Sequence, residues 1–285
     1  MSRAFALHGA DRLKAPVLIS VPHAGRDYPA TLISNLRASP ASLLRLEDRY
    51  ADLLAKPALE QGFATIIARF PRAWIDLNRD PGEIDPDMIH DAPRMAFGQP
   101  SAKVRGGLGL VPGRLSGIGN LWRNRWSMDD IRSRLAEAHE PYHAMVARLL
   151  ERMRAQFGAA LLLDLHSMPS LPLERGEQPV RIVLGDRFGR SCASQLSEAA
   201  RRFLAGTGER TSVNFPYAGG HMLERHGRPV QGVHALQIEI DRALYLDSDQ
   251  REPGAAVHQV AAHIAGLAEY LSDELLRGTT LMAAE

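Results

Sequence analysis

The chain has a single cysteine, Cys192, among its 285 residues, so no internal disulfide is possible. Cys192 lies in GRSCASQLSEAARRF, a helix-like stretch with small neighbours, and reads as a packing residue rather than a nucleophile. No apolar run approaches the roughly 18 residues that a membrane span requires, and the N-terminus lacks the basic-then-apolar pattern of a signal peptide. The expectation is a cytoplasmic protein that does not engage a membrane. Neither sign of charge is in excess: 34 Lys and Arg face 33 Asp and Glu, for a net charge of +1. The arginines are scattered rather than blocked, so the chain lacks the basic field that drives binding to a phosphate backbone, and nucleic acid is not an expected partner. A G-x-S-x-G elbow is also missing, which weighs against a Ser/His hydrolase. There is no internal repeat, and nothing in the pattern indicates an oligomeric state.

What is present suits a folded α/β enzyme. Hydrophobic residues make up 45% and charged residues 24%, enough apolar content to bury a large core. The length suggests one domain over residues 1–285, with a Gly/Pro-rich excursion at about 82–126. Ala15 to Val21 (APVLISV) reads as a buried strand ending in the turn sequence Pro22-His23-Ala24-Gly25. Leucines at helical spacing run from Ser42 to Leu59 and stop at Gln61-Gly62. A second strand is expected over Phe63 to Phe70, and a short third over Trp74 to Asn78. Ser127-Met128-Asp129-Asp130 is a helix-start signature, and Pro141 marks a break or kink in the helical pattern that continues to Phe157. Leu161 to Leu165 reads as a strand leading into His166. Further strands are expected at Val180–Leu184, Arg210–Asn214 and Val233–Ile240, with helices at Arg190–Leu204 and from Pro253 to about Leu276.

This alternation predicts a three-layer α/β/α sandwich around a mixed central sheet. In such sheets ligands bind beyond the carboxyl ends of strands, where His23, Asn78 and His166 would fall. His90, His139, His143, His258 and His263 sit in loops or amphipathic helices and single out no site. His23 and His166 each follow a hydrophobic strand and precede a small-residue turn, which suits metal-binding imidazoles as well as ordinary hydrogen-bonding ones. A catalytic zinc generally takes three protein ligands, and Asp48 in EDRYADLL is the preferred third donor, with Glu47 the alternative; both are read as early helix residues. Glu239, in the strand pattern HALQIEID, is the candidate general base, since acidic residues are rarely buried in strands without a partner or a function. Asn78 and Arg79 could grip a carboxylate, although an arginine beside Asp80 could equally be a structural ion pair. The glycine-flanked stretch from Gly219 to Gly227, with His221 and Arg225, could close over an anion.

Seven segments in order, VPHAGRDYP (21–29), EDRYADLL (47–54), WIDLNRDP (74–81), PYH (141–143), DLHSMPS (164–170), GGHMLERHG (219–227) and GVHALQIEI (232–240), resemble the N-formylglutamate amidohydrolase family. The resemblance covers roughly residues 15–245. It implies a phosphorylase/hydrolase-like sandwich related to zinc carboxypeptidases and aspartoacylase. It also implies metal binding by His23, Asp48 and His166, acid/base work by Glu239, and substrate anchoring by Asn78 and Arg79, with Arg72, His221 and Arg225 as further contacts. Ala24 stands where the family commonly has serine.

The activity so implied is hydrolysis of N-formyl-L-glutamate, or a similar small anionic N-acyl amino acid, by metal-activated water, with a place in histidine degradation. One divalent ion is expected, zinc foremost, though cobalt, nickel, manganese or iron suit the same donors. The rival readings are a zinc carboxypeptidase or a deacylase of another N-acyl amino acid and, from a different class, a noncatalytic small-molecule-binding protein.

Overall fold

The computed structural model describes residues 4–173 and 178–282. In chain order the strands are β1 (Phe5–His8), β2 (Val17–Val21), β3 (Ala64–Ala68), β4 (Arg114–Leu115), β5 (Gly119–Asn120), β6 (Ala160–Met168), β7 (Ile182–Gly185), β8 (Thr211–Val213) and β9 (Val233–Asp241). The α-helices are α1 (Ala30–Ser34), α2 (Ala51–Gln61), α3 (Ala102–Arg105), α4 (Met128–Arg134), α5 (Glu140–Phe157), α6 (Ser194–Ala205), α7 (His221–His226) and α8 (Val257–Met282). Among the described residues, no helix is long and apolar enough to cross a membrane.

Seven strands form one mixed sheet in the order β1-β3-β2-β6-β9-β7-β8. β2 runs parallel to β3 and to β6, and β6 runs parallel to β9. β7 is antiparallel to β9 and parallel to β8. The expected α/β architecture with a mixed sheet is therefore the one observed. All five residues of β2 and all nine of β6 are buried, as in strands covered on both faces. α8 packs against α2 and α6, and with α2 it covers β2 and β6.

The chain divides into two compact units interleaved in sequence. The larger holds Leu7–Val21, Asp48–Ile67 and the chain from Met145 onward, and with them nearly all of the sheet. The smaller holds residues through Ala6, Pro22–Glu47 and Ala68–Ala144. The glycine-rich excursion at 82–126 lies in the smaller unit and carries short elements, among them α3 and the antiparallel β4–β5 pair.

Several local expectations need correction. Trp74–Asn78 is a run of turns rather than a strand: Trp74 N–H donates to Pro71 O, Asp76 N–H donates to Leu110 O, and Asn78 N–H donates to the Asp76 carboxylate. The helix expected from Ser42 is a 3-10 turn at Pro40–Arg45 and then, separately, α2. Tyr50 separates them, because its φ of 59° is left-handed and cannot continue a right-handed helix. Glu47 and Asp48 therefore precede α2 instead of lying on it. His166 is inside β6, which runs on to Met168, rather than past a strand end. Cys192 precedes α6. The break expected at Pro141 is not there: Pro141 lies in the first turn of α5, where its missing N–H is tolerated, and the irregularity comes before it as a π-helical segment, Leu135–His139, joining α4 to α5. β1 had no sequence expectation.

Candidate active site

The larger unit carries two polar rows set into the apolar centre of the sheet. In the β2–β6–β9 register, Ser20 lies opposite Asp164 and Asp164 opposite Gln237; His166 lies opposite Glu239. Paired residues share a sheet face, so these side chains form two successive polar rows. A buried polar group must find a partner, and each of these does. Ser20 Oγ donates to Asp164 Oδ1 at 2.9 Å, and Gln237 Nε2 donates to Glu239 Oε1 at 2.9 Å.

His166, 2% exposed, is held at both nitrogens by carboxylates. Nε2 is 2.8 Å from Asp164 Oδ2 and Nδ1 is 2.8 Å from Asp48 Oδ2. Burial works against a charged imidazole, but Asp164 and Asp48 together outweigh it and hold the His166 pKa well above the usual histidine value. Asp48 also accepts from Ser167 Oγ at 3.3 Å and from Arg242 Nη2 at 3.4 Å, while Arg242 Nε donates to Ser167 Oγ at 3.1 Å. The turn carrying Asp48 is tied to the rest of the unit where Tyr245 Oη donates to Arg49 O at 2.8 Å and Tyr50 Oη donates to Glu252 at 2.7 Å.

Within the smaller unit a second polar cluster is built around Asp76, which is fully buried. Asp76 Oδ1 is 2.7 Å from His23 Nε2 and accepts the Asn78 N–H at 2.9 Å. Asp76 Oδ2 accepts from Arg72 Nε at 2.8 Å and lies 3.6 Å from Arg79 Nε. Burial raises the Asp76 pKa, but Arg72, Arg79 and His23 more than offset it and hold the carboxyl well below the usual range. Asp76 thus supplies a carboxylate beside Arg79, and Asp80 accepts the Gly82 N–H. Arg79 also donates through Nε to Leu108 O at 2.8 Å and through Nη1 to Asn78 O at 2.9 Å. The loop bearing His23 depends on Gly25, where an added Cβ would sit 2.0 Å from Phe70 O. Glu47 Oε1 accepts from Tyr28 Oη at 2.5 Å, while its neighbour Asp48 is the carboxylate against His166.

Both histidines share one feature: Nε2 is engaged by a buried aspartate, Asp76 for His23 and Asp164 for His166. Histidine ligands are commonly oriented by a carboxylate on the far nitrogen in this way. In the larger unit Asp48 and His166 are oxygen and nitrogen donors of the kind a divalent ion takes, and His23 in the smaller unit is a further nitrogen donor, so the residue types present fit a metal. On α7, His221 is half-buried and Arg225 is exposed.

Sequence reasoning missed several groups that take part. Asp76 and Asp164 lie inside the quoted motifs, where only their partners are singled out, and Arg242 lies just beyond the last of them. Arg134 carries no sequence expectation, and His139 and His143 single out no site in the sequence. All three are fully buried and bond main-chain carbonyls of the segment carrying Asn78 and Arg79. Their clue was that His139 and His143 flank buried Tyr142 with helical spacing, on a helix whose other polar residues are mostly exposed.

The fold is thus a mixed α/β sheet that buries a histidine between two carboxylates, a donor set compatible with a metal. The model of the family N-formylglutamate amidohydrolase matches residues 15–246, and the chain belongs to that family. It is 32% identical over 241 residues to the N-formylglutamate deformylase of Pseudomonas aeruginosa, covering 83% of this chain and 84% of the relative. It is 31% identical over 242 residues to the N-formylglutamate deformylase of Pseudomonas putida, with the same coverage. The crystal structure of N-formylglutamate amidohydrolase from Ralstonia eutropha JMP134 superposes with a TM-score of 0.88 at 29% identity, covering 96% of this chain and 99% of that one.

Proposed function

We propose that this protein is a metal-dependent amidohydrolase that cleaves N-formyl-L-glutamate to formate and L-glutamate, with His23, Asp48 and His166 as metal ligands. The observation that carries the reading is His166, a buried imidazole gripped by Asp164 on one nitrogen and facing Asp48 with the other, in a chain of this family. A divalent ion held there would supply Lewis acidity and lower the pKa of a water. Zinc is the first choice for two imidazoles and a carboxylate.

The remaining chemistry belongs to side chains. Glu239, opposite His166 on the neighbouring strand and half-buried, takes the proton from the attacking water. It returns that proton to the amide nitrogen as the C–N bond breaks, so the amine leaves neutral and Glu239 is regenerated. Gln237 holds one oxygen of Glu239 in place. Asn78 and Arg79 bind the α-carboxylate, and Arg72, His221 and Arg225 serve the side-chain carboxylate. Such fixed anchors contribute orientation rather than bond-breaking.

The test is formate release by the purified protein across N-formyl-L-glutamate, N-formyl-L-aspartate, N-acetyl-L-glutamate and a peptide ending in glutamate. Preferred turnover of N-formyl-L-glutamate is expected. Preference for the acetyl compound would replace the substrate, preference for the peptide would make the protein a carboxypeptidase, and binding without turnover would make it a binding protein.

A further inference from the structure

Three side chains of one helical run donate to three carbonyls of one loop. Arg134, the last residue of α4, donates through Nη1 to Trp74 O at 3.2 Å. His143 on α5 lies with Nε2 2.9 Å from Leu77 O, and His139, at the end of the π-helical segment, lies with Nε2 2.9 Å from Arg79 O. A carbonyl only accepts, so both imidazoles carry their proton on Nε2. The two rings lie against each other with centroids 4.3 Å apart. Arg134 is further fixed by two indoles: its guanidinium carbon is 3.9 Å from the Trp74 ring and 3.8 Å from the Trp126 ring.

The π-helical segment explains how these side chains share a face. At about 100° per residue, five α-helical steps would leave Arg134 and His139 roughly 140° apart. The wider turn over Leu135–His139 takes up the extra residue and brings His139 back toward the face of Arg134. His143 then follows four residues later, one ordinary turn on. A run of turns has no strand ladder to hold it, so these bonds, with Asp76 inside the loop, fix where Asn78 and Arg79 point.

We propose that His139 and His143 are positioning residues that clamp the 77–79 backbone and so set the substrate-carboxylate grip, with the π-helical segment setting their register. The claim rests on the reading of Asn78 and Arg79 as substrate anchors. It is tested with His139 and His143 each changed to Gln, whose amide nitrogen can take the place of Nε2, and to Asn, which is too short to reach. The Asn variants should raise KM for N-formyl-L-glutamate roughly tenfold, the scale of one lost buried hydrogen bond. Metal content should be unchanged and kcat should move far less than KM. The Gln variants should recover most of the loss, a rescue that general destabilisation would not give. Adding Arg79→Ala to His143→Asn should give less than the sum of the two losses, because both act on one grip.

Hydrogen exchange of the 74–80 peptide provides a readout independent of turnover. Exchange should quicken in the Asn variants and return toward the parent rate with Gln, while peptides of β6 and β9 stay unchanged. Unchanged exchange overturns the clamp, and faster exchange with unchanged KM overturns its role in binding. If the parent protein does not turn over N-formyl-L-glutamate, it is the substrate reading that fails, and exchange alone then decides the clamp.

Discussion

His166 and the Trp74–Arg79 segment are both built around a buried aspartate, yet they are held by opposite means. His166 is inside a nine-residue strand and pairs there with Glu239 of β9, so the backbone ladder fixes its direction and Asp164 and Asp48 need only orient the ring. The Trp74–Arg79 segment has no ladder, and its direction comes from Asp76 within it and from Arg134, His139 and His143, roughly sixty residues on in sequence. A residue on a strand inherits its placement from secondary structure, whereas a residue on a turn must be placed by side chains. The two regions should therefore fail differently under substitution.

The largest effect is expected at the strand. Glu239→Gln should lower formate release by about 10²–10⁴-fold, the range for loss of a general base, while metal content measured by atomic absorption stays at the parent level. Activity close to that of the parent would remove Glu239 as the base. Next come the two orienting aspartates, which separate the regions most clearly. Asp164→Asn and Asp76→Asn should each weaken metal binding by about 10–100-fold in a competitive chelator titration. Asp76→Asn should also raise KM, because Asp76, unlike Asp164, bonds Arg72 and the Asn78 N–H and lies beside Arg79 as well as holding its histidine. Equal KM values in the two variants would erase the distinction.

Smaller effects are expected away from both regions. Asp186 accepts from Asn214, Gly189 and Ser197, and these bonds hold its pKa below the usual value despite burial. A carboxyl with a depressed folded pKa contributes stability above its unfolded value of about 3.9 and loses it as pH falls through the folded one. Urea melts of the parent and Asp186→Asn should thus differ most near neutrality and converge below about pH 4. The smallest effect concerns Cys192, whose thiol is fully buried and pushed up to about 12 by burial. A thiol reagent at pH 8 should leave the native protein unlabelled and fully active, and should label it only after unfolding.

The strands and helices around the sheet were readable because their signals are local: an apolar run such as Val17–Val21, or the serine cap of α4, which is realised as a full capping box between Ser127 and Asp130. His23, His166, Asp48 and Glu239 are candidates because of their place in or beside such runs. Asp76 could not be ranked above Asp80, because what separates them is a set of contacts to His23 and Arg72 that the linear order does not reveal. His139 and His143 were hidden for a similar reason: on a helix of amphipathic pattern, a buried histidine bonded to a distant carbonyl looks like any other polar residue. The left-handed Tyr50, which detaches Asp48 from α2, also had no warning, since φ > 0 is uncommon outside Gly, Asn and Asp.

The most direct test of the central claim is formate release from N-formyl-L-glutamate before chelation, after exhaustive chelation, and after return of zinc or cobalt in measured equivalents. The account predicts that chelation abolishes release and that one equivalent of metal per chain restores it in the parent but not in His166→Ala. Full activity in the metal-stripped protein, or restoration in His166→Ala equal to that of the parent, would contradict it.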